Sequence, residues 1–157
     1  MLCLVTDRHR LCADAAPFDV ARRCLVEQVS QAVAAGIDLI QVRERDLDTS
    51  RLAALVTDIV CVARGTGTRV VVNDRVDVAM ACGADGVHLR SDSMPADAVR
   101  RITPPGFLIG RSVHRPDEAV AAGPLDYLMA GTVFPTPSKS RERRLLGLDG
   151  LGQIVRA

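Results

Sequence analysis

Along the chain, short continuous apolar runs alternate with stretches whose apolar residues recur every three or four positions. The runs are "LCLVT" (Leu2–Thr6), "DLIQVRE" (Asp38–Glu44), "RVVVND" (Arg69–Asp74), "DGVHL" (Asp85–Leu89), "FLIGRS" (Phe107–Ser112) and "DYLMAG" (Asp126–Gly131). Each has the length and content of a buried strand. Between them, helical spacing covers Asp19–Ala35 (through Val20, Leu25, Val29 and Val33), Asp48–Gly65, Arg75–Cys82, a segment from Pro95, Arg115–Ala122 and Leu148–Ala157. Gly36, Gly65 and Gly83 stand where helices end, and Pro95 and Pro116 where they begin. Strands that are apolar throughout, rather than alternating, predict a parallel sheet covered by helices. "AAGIDLIQ", "ACGADGVH" and "AAGPLDYL" repeat one grammar: a helix ending in a small residue and glycine, then an Asp at the next strand.

The polar residues are as patterned as the apolar ones. The second strand ends in Gln41, Arg43, Glu44 and Arg45, and the third in Asn73 and Asp74. The fourth ends in His88, with Asp92 and Ser93 just after, the fifth in Ser112 and His114, and Thr136, Ser138 and Lys139 come after the sixth. Every cluster lies at a C-terminal strand end. An open doubly wound sheet binds ligand only at its switch point. Five consecutive strand ends carrying polar groups instead predict an α/β fold of the (β/α)8 TIM-barrel type, whose active sites sit on that face. About six βα units are present, an incomplete barrel.

Composition narrows the chemistry. The 157 residues are 48% hydrophobic and 25% charged, with a net charge of +1. That suits one globular domain, and offers no basic field for nucleic acid. Aromatic content is 3%, too low for a base-stacking surface. No apolar run is long enough for a membrane span or a secretory signal. The five cysteines, Cys3, Cys12, Cys24, Cys61 and Cys82, are odd in number and form no CxxC pair. They read as small buried hydrophobes in a reducing, cytoplasmic protein. Neither a GxGxxG after a strand nor a GxxxxGK[ST] occurs, so nucleotide-cofactor motifs are missing.

The strand-end residues suggest phosphate chemistry. Arg43, Arg45 and Lys139 are cations for phosphate or diphosphate. Asp74, assisted by Asp92, offers carboxylates to Mg2+ bridging to phosphate oxygens. Gln41 and Asn73 are amides suited to a heterocycle, and Thr136 and Ser138 are hydroxyls for a second phosphate. Each has a plainer reading alone. Asn73 and Asp74 cap the following helix, Arg43–Arg45 is a solvated loop, His88 is a satisfied core histidine, and "SKSRERR" is a charged loop. Coincidence on one face carries the functional reading.

Four motifs, "LIQVRERD", "VVVNDRVDVAMACGADGVHL", "GRSVHRPDEA" and "AGTVFPTPSK", resemble the thiamine phosphate synthase and thiazole tautomerase (TenI-type) superfamily, in order and along the whole chain. The resemblance implies one β/α barrel domain over residues 1–157 and a transferase of thiamine biosynthesis. Such an enzyme joins hydroxymethylpyrimidine diphosphate to hydroxyethylthiazole phosphate and releases diphosphate. It implies that Gln41, Arg43, Arg45, Asn73, Ser112 and Lys139 hold the pyrimidine diphosphate, with Glu44 also substrate-binding, Thr136 and Ser138 the thiazole phosphate, and Asp74 the magnesium, with Lys139 also catalytic. Three departures stand out. Arg45 replaces a usual Lys. Ser93 occupies the place of the second magnesium aspartate, making Asp92 the substitute carboxylate. The chain stops after about six of eight units, which predicts C-terminal truncation and the loss of a glycine-rich thiazole-phosphate loop. The tautomerase branch implies an isomerase with His114 as the acid–base residue. A third expectation is an inactive barrel fragment, whose open edges leave pairing with a second copy open. The partners expected are small-molecule substrates, with neither nucleic acid nor membrane.

Overall fold

The computed structural model describes residues 1–12, 16–135 and 145–157. Six strands are present among them: β1 (Cys3–Val5), β2 (Leu39–Val42), β3 (Arg69–Asn73), β4 (Gly86–Leu89), β5 (Leu108–Val113) and β6 (Tyr127–Ala130). They follow one another across a six-stranded sheet in sequence order. The helices are α1 (Arg8–Leu11), α2 (Phe18–Ala34), α3 (Thr49–Ala63), α4 (Val76–Ala81), α5 (Ala96–Ile102), α6 (Pro116–Val120) and α7 (Gly147–Arg156). The alternation expected from the hydrophobic pattern is therefore present, as an α/β fold with parallel strand pairs. β2 is shorter than expected, Leu39–Val42 rather than Asp38–Glu44. The single turn α1 was not expected; four residues are too few to show a helical period.

Met1–Val87 and His88–Ala157 each form a compact unit. In the first, β1 pairs with β2 at Cys3↔Leu39, and β2 with β3 at Leu39↔Arg69. Its core is Ile40, Val42, Val70, Val71 and Val72 from the sheet, with Leu25 and Val29 of α2 and Leu55, Val56 and Ile59 of α3. In the second, β5 pairs with β6 at Gly110↔Tyr127, and Leu89, Val99, Phe107, Ile109 and Val113 are buried. Each buried aliphatic contributes about 1.5–3 kcal/mol. Exposed ion pairs such as Arg101–Asp97 are screened by solvent and contribute little. Core burial, not surface charge, carries the stability. Among the described residues, no helix is long and apolar enough to cross a membrane.

The repeated aspartate has a physical explanation. Asp38 Oδ2 accepts the backbone N–H of Leu2 at 2.6 Å. Asp85 Oδ2 accepts that of Val70 at 2.7 Å, and Asp126 Oδ2 that of Ile109 at 2.7 Å. Each carboxylate thus satisfies an amide where a neighbouring strand begins, a group otherwise left open. Two of them also hold an arginine: Arg69 Nη1 on Asp85 Oδ1 and Arg100 Nη2 on Asp126 Oδ2. The glycine before each reverses the chain: Gly36 and Gly83 have φ of 79° and 67°, a left-handed conformation disfavoured for other residues.

Candidate active site

In the first unit, the C-terminal ends of β2 and β3 are joined by side chains. Gln41, 3% exposed, donates from Nε2 to Asn73 Oδ1 at 2.9 Å. Asn73 is the last residue of β3, and Asp74 follows in a left-handed turn at φ 63°. Asp adopts that conformation more readily than most residues. The capping reading of this pair does not hold. Helix α4 has its N-cap at Arg75, with no side-chain cap bond. By contrast, α3 is capped conventionally, with Asp48 Oδ1 accepting from Arg51 N at 2.9 Å. Arg75 itself is tied to Asp77 and to Thr49 Oγ1. Its guanidinium holds the Asp77 carboxyl below the usual carboxylate range.

Beyond β2, Arg43 is half-buried and its N–H donates to Thr6 Oγ1 at 2.9 Å. Among the described residues its guanidinium has no hydrogen bond or ion pair, which suits a cation kept for an anionic ligand. Arg45 is exposed. Glu44, expected as a substrate contact, is 5% exposed and lies against Arg8. It accepts from Arg8 N at 3.1 Å and from Arg8 Nη1 at 2.9 Å. Arg8 also grips Asp46 with both terminal nitrogens. That hydrogen-bonded cation holds the Asp46 carboxyl far below the ordinary range. Arg8 was not foreseen, because nothing in "TDRHR" distinguishes one arginine from its neighbours.

In the second unit, His88 on β4 is 1% exposed and has both ring nitrogens on hydroxyls. Nε2 lies 2.8 Å from Ser112 Oγ and Nδ1 3.1 Å from Tyr127 Oη. Ser112 is therefore brought to a buried histidine that hydrophobic alternation identified only as core. Asp92, on the loop after β4, is ion-paired with Arg90, and Ser93 Oγ accepts from Arg90 N at 2.9 Å. Buried Arg111 holds the same loop by donating to the carbonyls of Ser91 and Met94. His114 donates its backbone N–H to Glu118 at 2.7 Å, and its Nδ1 lies on the carbonyl of Gly131. Thr136, Ser138 and Lys139 lie outside the described residues. Among the described residues, no cluster of three or more His, Cys, Asp or Glu side chains could hold a metal alone.

A family model described as "Thiamine monophosphate synthase" matches residues 2–157. The chain belongs to this family. It is 45% identical to the thiamine-phosphate synthase of Solidesulfovibrio magneticus, covering 98% of this chain and 70% of that protein. It is 38% identical to the thiamine-phosphate synthase of Albidiferax ferrireducens, covering 99% of this chain and 68% of that one. Among solved structures, the thiamine phosphate pyrophosphorylase from Pyrococcus furiosus superposes with a TM-score of 0.79 at 36% identity, covering 99% of this chain and 69% of that chain. The expected family is thus the one found, and its members of known name are transferases. The fold class expected, a TIM-barrel-type α/β fold of about six βα units, is the one this chain shows.

Proposed function

We propose that this protein is a thiamine-phosphate synthase, coupling hydroxymethylpyrimidine diphosphate to hydroxyethylthiazole phosphate in the cytoplasm. The observation that carries the reading is the Gln41–Asn73 amide pair followed at once by left-handed Asp74. These are the residue types that a heterocycle and a diphosphate-bound cation require, and they are not consumed in capping α4. In this reading Gln41 and Asn73 orient the pyrimidine. Arg43, Arg45 and Lys139 neutralise the departing diphosphate, and Ser112 donates a hydrogen bond to it. The bond from the pyrimidine methylene to the diphosphate oxygen breaks with its electron pair on oxygen. The thiazole nitrogen then supplies the pair for the new C–N bond. Fixed cations and donors stabilise the charge that develops, and little proton transfer is needed.

Mg2+ fits this donor set. It is ordinarily held by one or two carboxylates with the substrate's phosphate oxygens, not by an all-protein cage. By the family resemblance Asp74 would supply one carboxylate; Asp92, the expected second, is paired with Arg90. Bound there, the ion would neutralise diphosphate charge. Thr136 and Ser138 would meet the thiazole phosphate.

Incubating the protein with both substrates and Mg2+, and following thiamine phosphate and diphosphate, tests the reading. Isomerisation of the thiazole carboxylate phosphate with no diphosphate release would overturn it. One observation favours that second outcome. His114 is fastened through its backbone N–H and Nδ1, which leaves Nε2 for proton transfer. Loss of isomerisation in His114→Gln would then identify the acid–base group.

A further inference from the structure

His88 is the one buried histidine among the described residues, and the reaction proposed above gives it no direct role. Three observations show that the second unit is built around it. Its ring stacks on Tyr127, with centroids 5.6 Å apart and planes inclined by 30°. Its two nitrogens meet one hydroxyl each, Tyr127 Oη and Ser112 Oγ. Gly110, paired with Tyr127 in the β5–β6 ladder, leaves room for the phenol: a Cβ there would fall inside the Tyr127 ring, on Cζ, Cε1 and Cε2. A glycine inside a buried strand costs about 0.5–1 kcal/mol relative to alanine. Here it is what lets the phenol reach the imidazole.

We infer that His88 and Tyr127 are positioning residues that make Ser112 a directed hydrogen-bond donor toward the anionic leaving group. The inference rests on the proposed role of Ser112. A neutral imidazole has one donor and one acceptor nitrogen. A phenol is a better donor than an aliphatic hydroxyl, so Tyr127 O–H donates to Nδ1 and the ring proton stays on Nε2. Nε2–H then donates to Ser112 Oγ. Ser112 accepts that bond and keeps its own proton for a substrate oxygen. The opposite tautomer would turn the Ser112 proton toward the ring and leave only lone pairs for a diphosphate, which repels them. The phenol therefore selects the arrangement useful to an anion, around an imidazole that is itself buried.

The test is a double-variant comparison in the full chain, reading kcat and KM for each substrate. Ser112→Ala and His88→Asn are each expected to lower kcat/KM for the pyrimidine diphosphate about tenfold, with KM for the thiazole phosphate unchanged. The double variant is expected within about twofold of Ser112→Ala alone, because His88 acts through that hydroxyl. His88→Gln, whose amide reaches the Nε2 position, is expected to recover most of the loss. Tyr127→Phe should lower kcat/KM about threefold in the wild type and not at all in Ser112→Ala. Losses that multiply in the double variants, or that fall equally on both substrates, overturn the inference. Wild-type kinetics in Ser112→Ala would instead remove Ser112 from the reaction, and the inference with it. Should His88→Asn fail to fold, Tyr127→Phe with and without Ser112→Ala decides the matter.

Discussion

Gln41 on β2 and Asn73 on β3 share one amide–amide hydrogen bond of 2.9 Å at the C-terminal ends of two adjacent parallel strands. The bond fixes Asn73 with its oxygen toward Gln41, leaving its amide nitrogen for a ligand. Asn73→Asp separates these duties. The carboxylate still accepts from Gln41, so unfolding in urea is expected within about 0.5 kcal/mol of wild type. The nitrogen donor is lost and a negative charge is added, so under the proposed function kcat/KM for the pyrimidine substrate should fall at least tenfold. Asn73→Ala should cost about 1–3 kcal/mol as well, because the buried Gln41 amide then lacks its acceptor.

Asp74 provides a second separation of stability from activity. Its φ of 63° is tolerated by Asn as readily as by Asp. Asp74→Asn is therefore expected to keep the left-handed turn. Removal of the carboxylate should cut Mg2+-dependent turnover about a hundredfold, and raise the Mg2+ concentration needed for half-maximal rate. An unchanged Mg2+ dependence would remove Asp74 from the metal site.

These positions also show what was legible beforehand. The continuous apolar runs announced the strands, and the glycines at helix ends announced their limits. The strand-end residues Gln41, Asn73, Ser112 and His114 were visible because polar side chains interrupt apolar runs at corresponding places. What stayed hidden depends on pairings distant along the chain. Arg8 meets Glu44 thirty-six residues away, and His88 meets Tyr127 thirty-nine away. Nothing local marks either pair, since "TDRHR" has two equivalent arginines and Tyr127 opens an ordinary apolar strand. The helix-cap reading of Asn73 and Asp74 failed for a similar reason. Capping propensity is local, whereas Asn73 is claimed by Gln41 on the neighbouring strand.

The Arg8 cluster gives a pH dependence. Asp46 titrates lower when folded than when unfolded because Arg8 hydrogen-bonds it. Its contribution is complete above its unfolded pKa of about 3.9, and is lost as pH falls from there toward the folded value. The stability difference between wild type and Asp46→Asn, measured by urea unfolding, should thus be constant near neutrality and shrink below about pH 4. Arg8→Met should cost about 3 kcal/mol, because it strands the buried Glu44 carboxylate. Adding Glu44→Gln should recover most of that loss. If Glu44 instead serves the substrate, Glu44→Gln alone will depress kcat/KM.

The repeated aspartates at the strand starts should act on stability alone. Asp85→Ala strips the Val70 amide and Arg69 of their acceptor, and Asp126→Ala does the same to Ile109 and Arg100. Each is expected to cost about 1–3 kcal/mol in chemical denaturation. At temperatures where the variants remain folded, kcat/KM should stay within about twofold of wild type, as befits the strand ends opposite the catalytic ones. A larger kinetic defect would show that strand register is transmitted to the reacting residues.

Gly110 and Tyr127 make the last case, in which one methyl group tests packing and chemistry together. The β-carbon of Gly110→Ala would sit within the phenol ring, and the atoms in conflict are a rigid ring rather than the end of a flexible chain. The ring must leave, at about 1–3 kcal/mol, and its hydroxyl then departs from His88 Nδ1. Thermal denaturation should show the destabilisation, and kcat/KM should fall as in Tyr127→Phe. In a Tyr127→Ala background the conflict is gone, and adding Gly110→Ala should change stability by less than about 0.5 kcal/mol. Equal costs in both backgrounds would mean that the glycine serves the β5 backbone itself, not the phenol it faces.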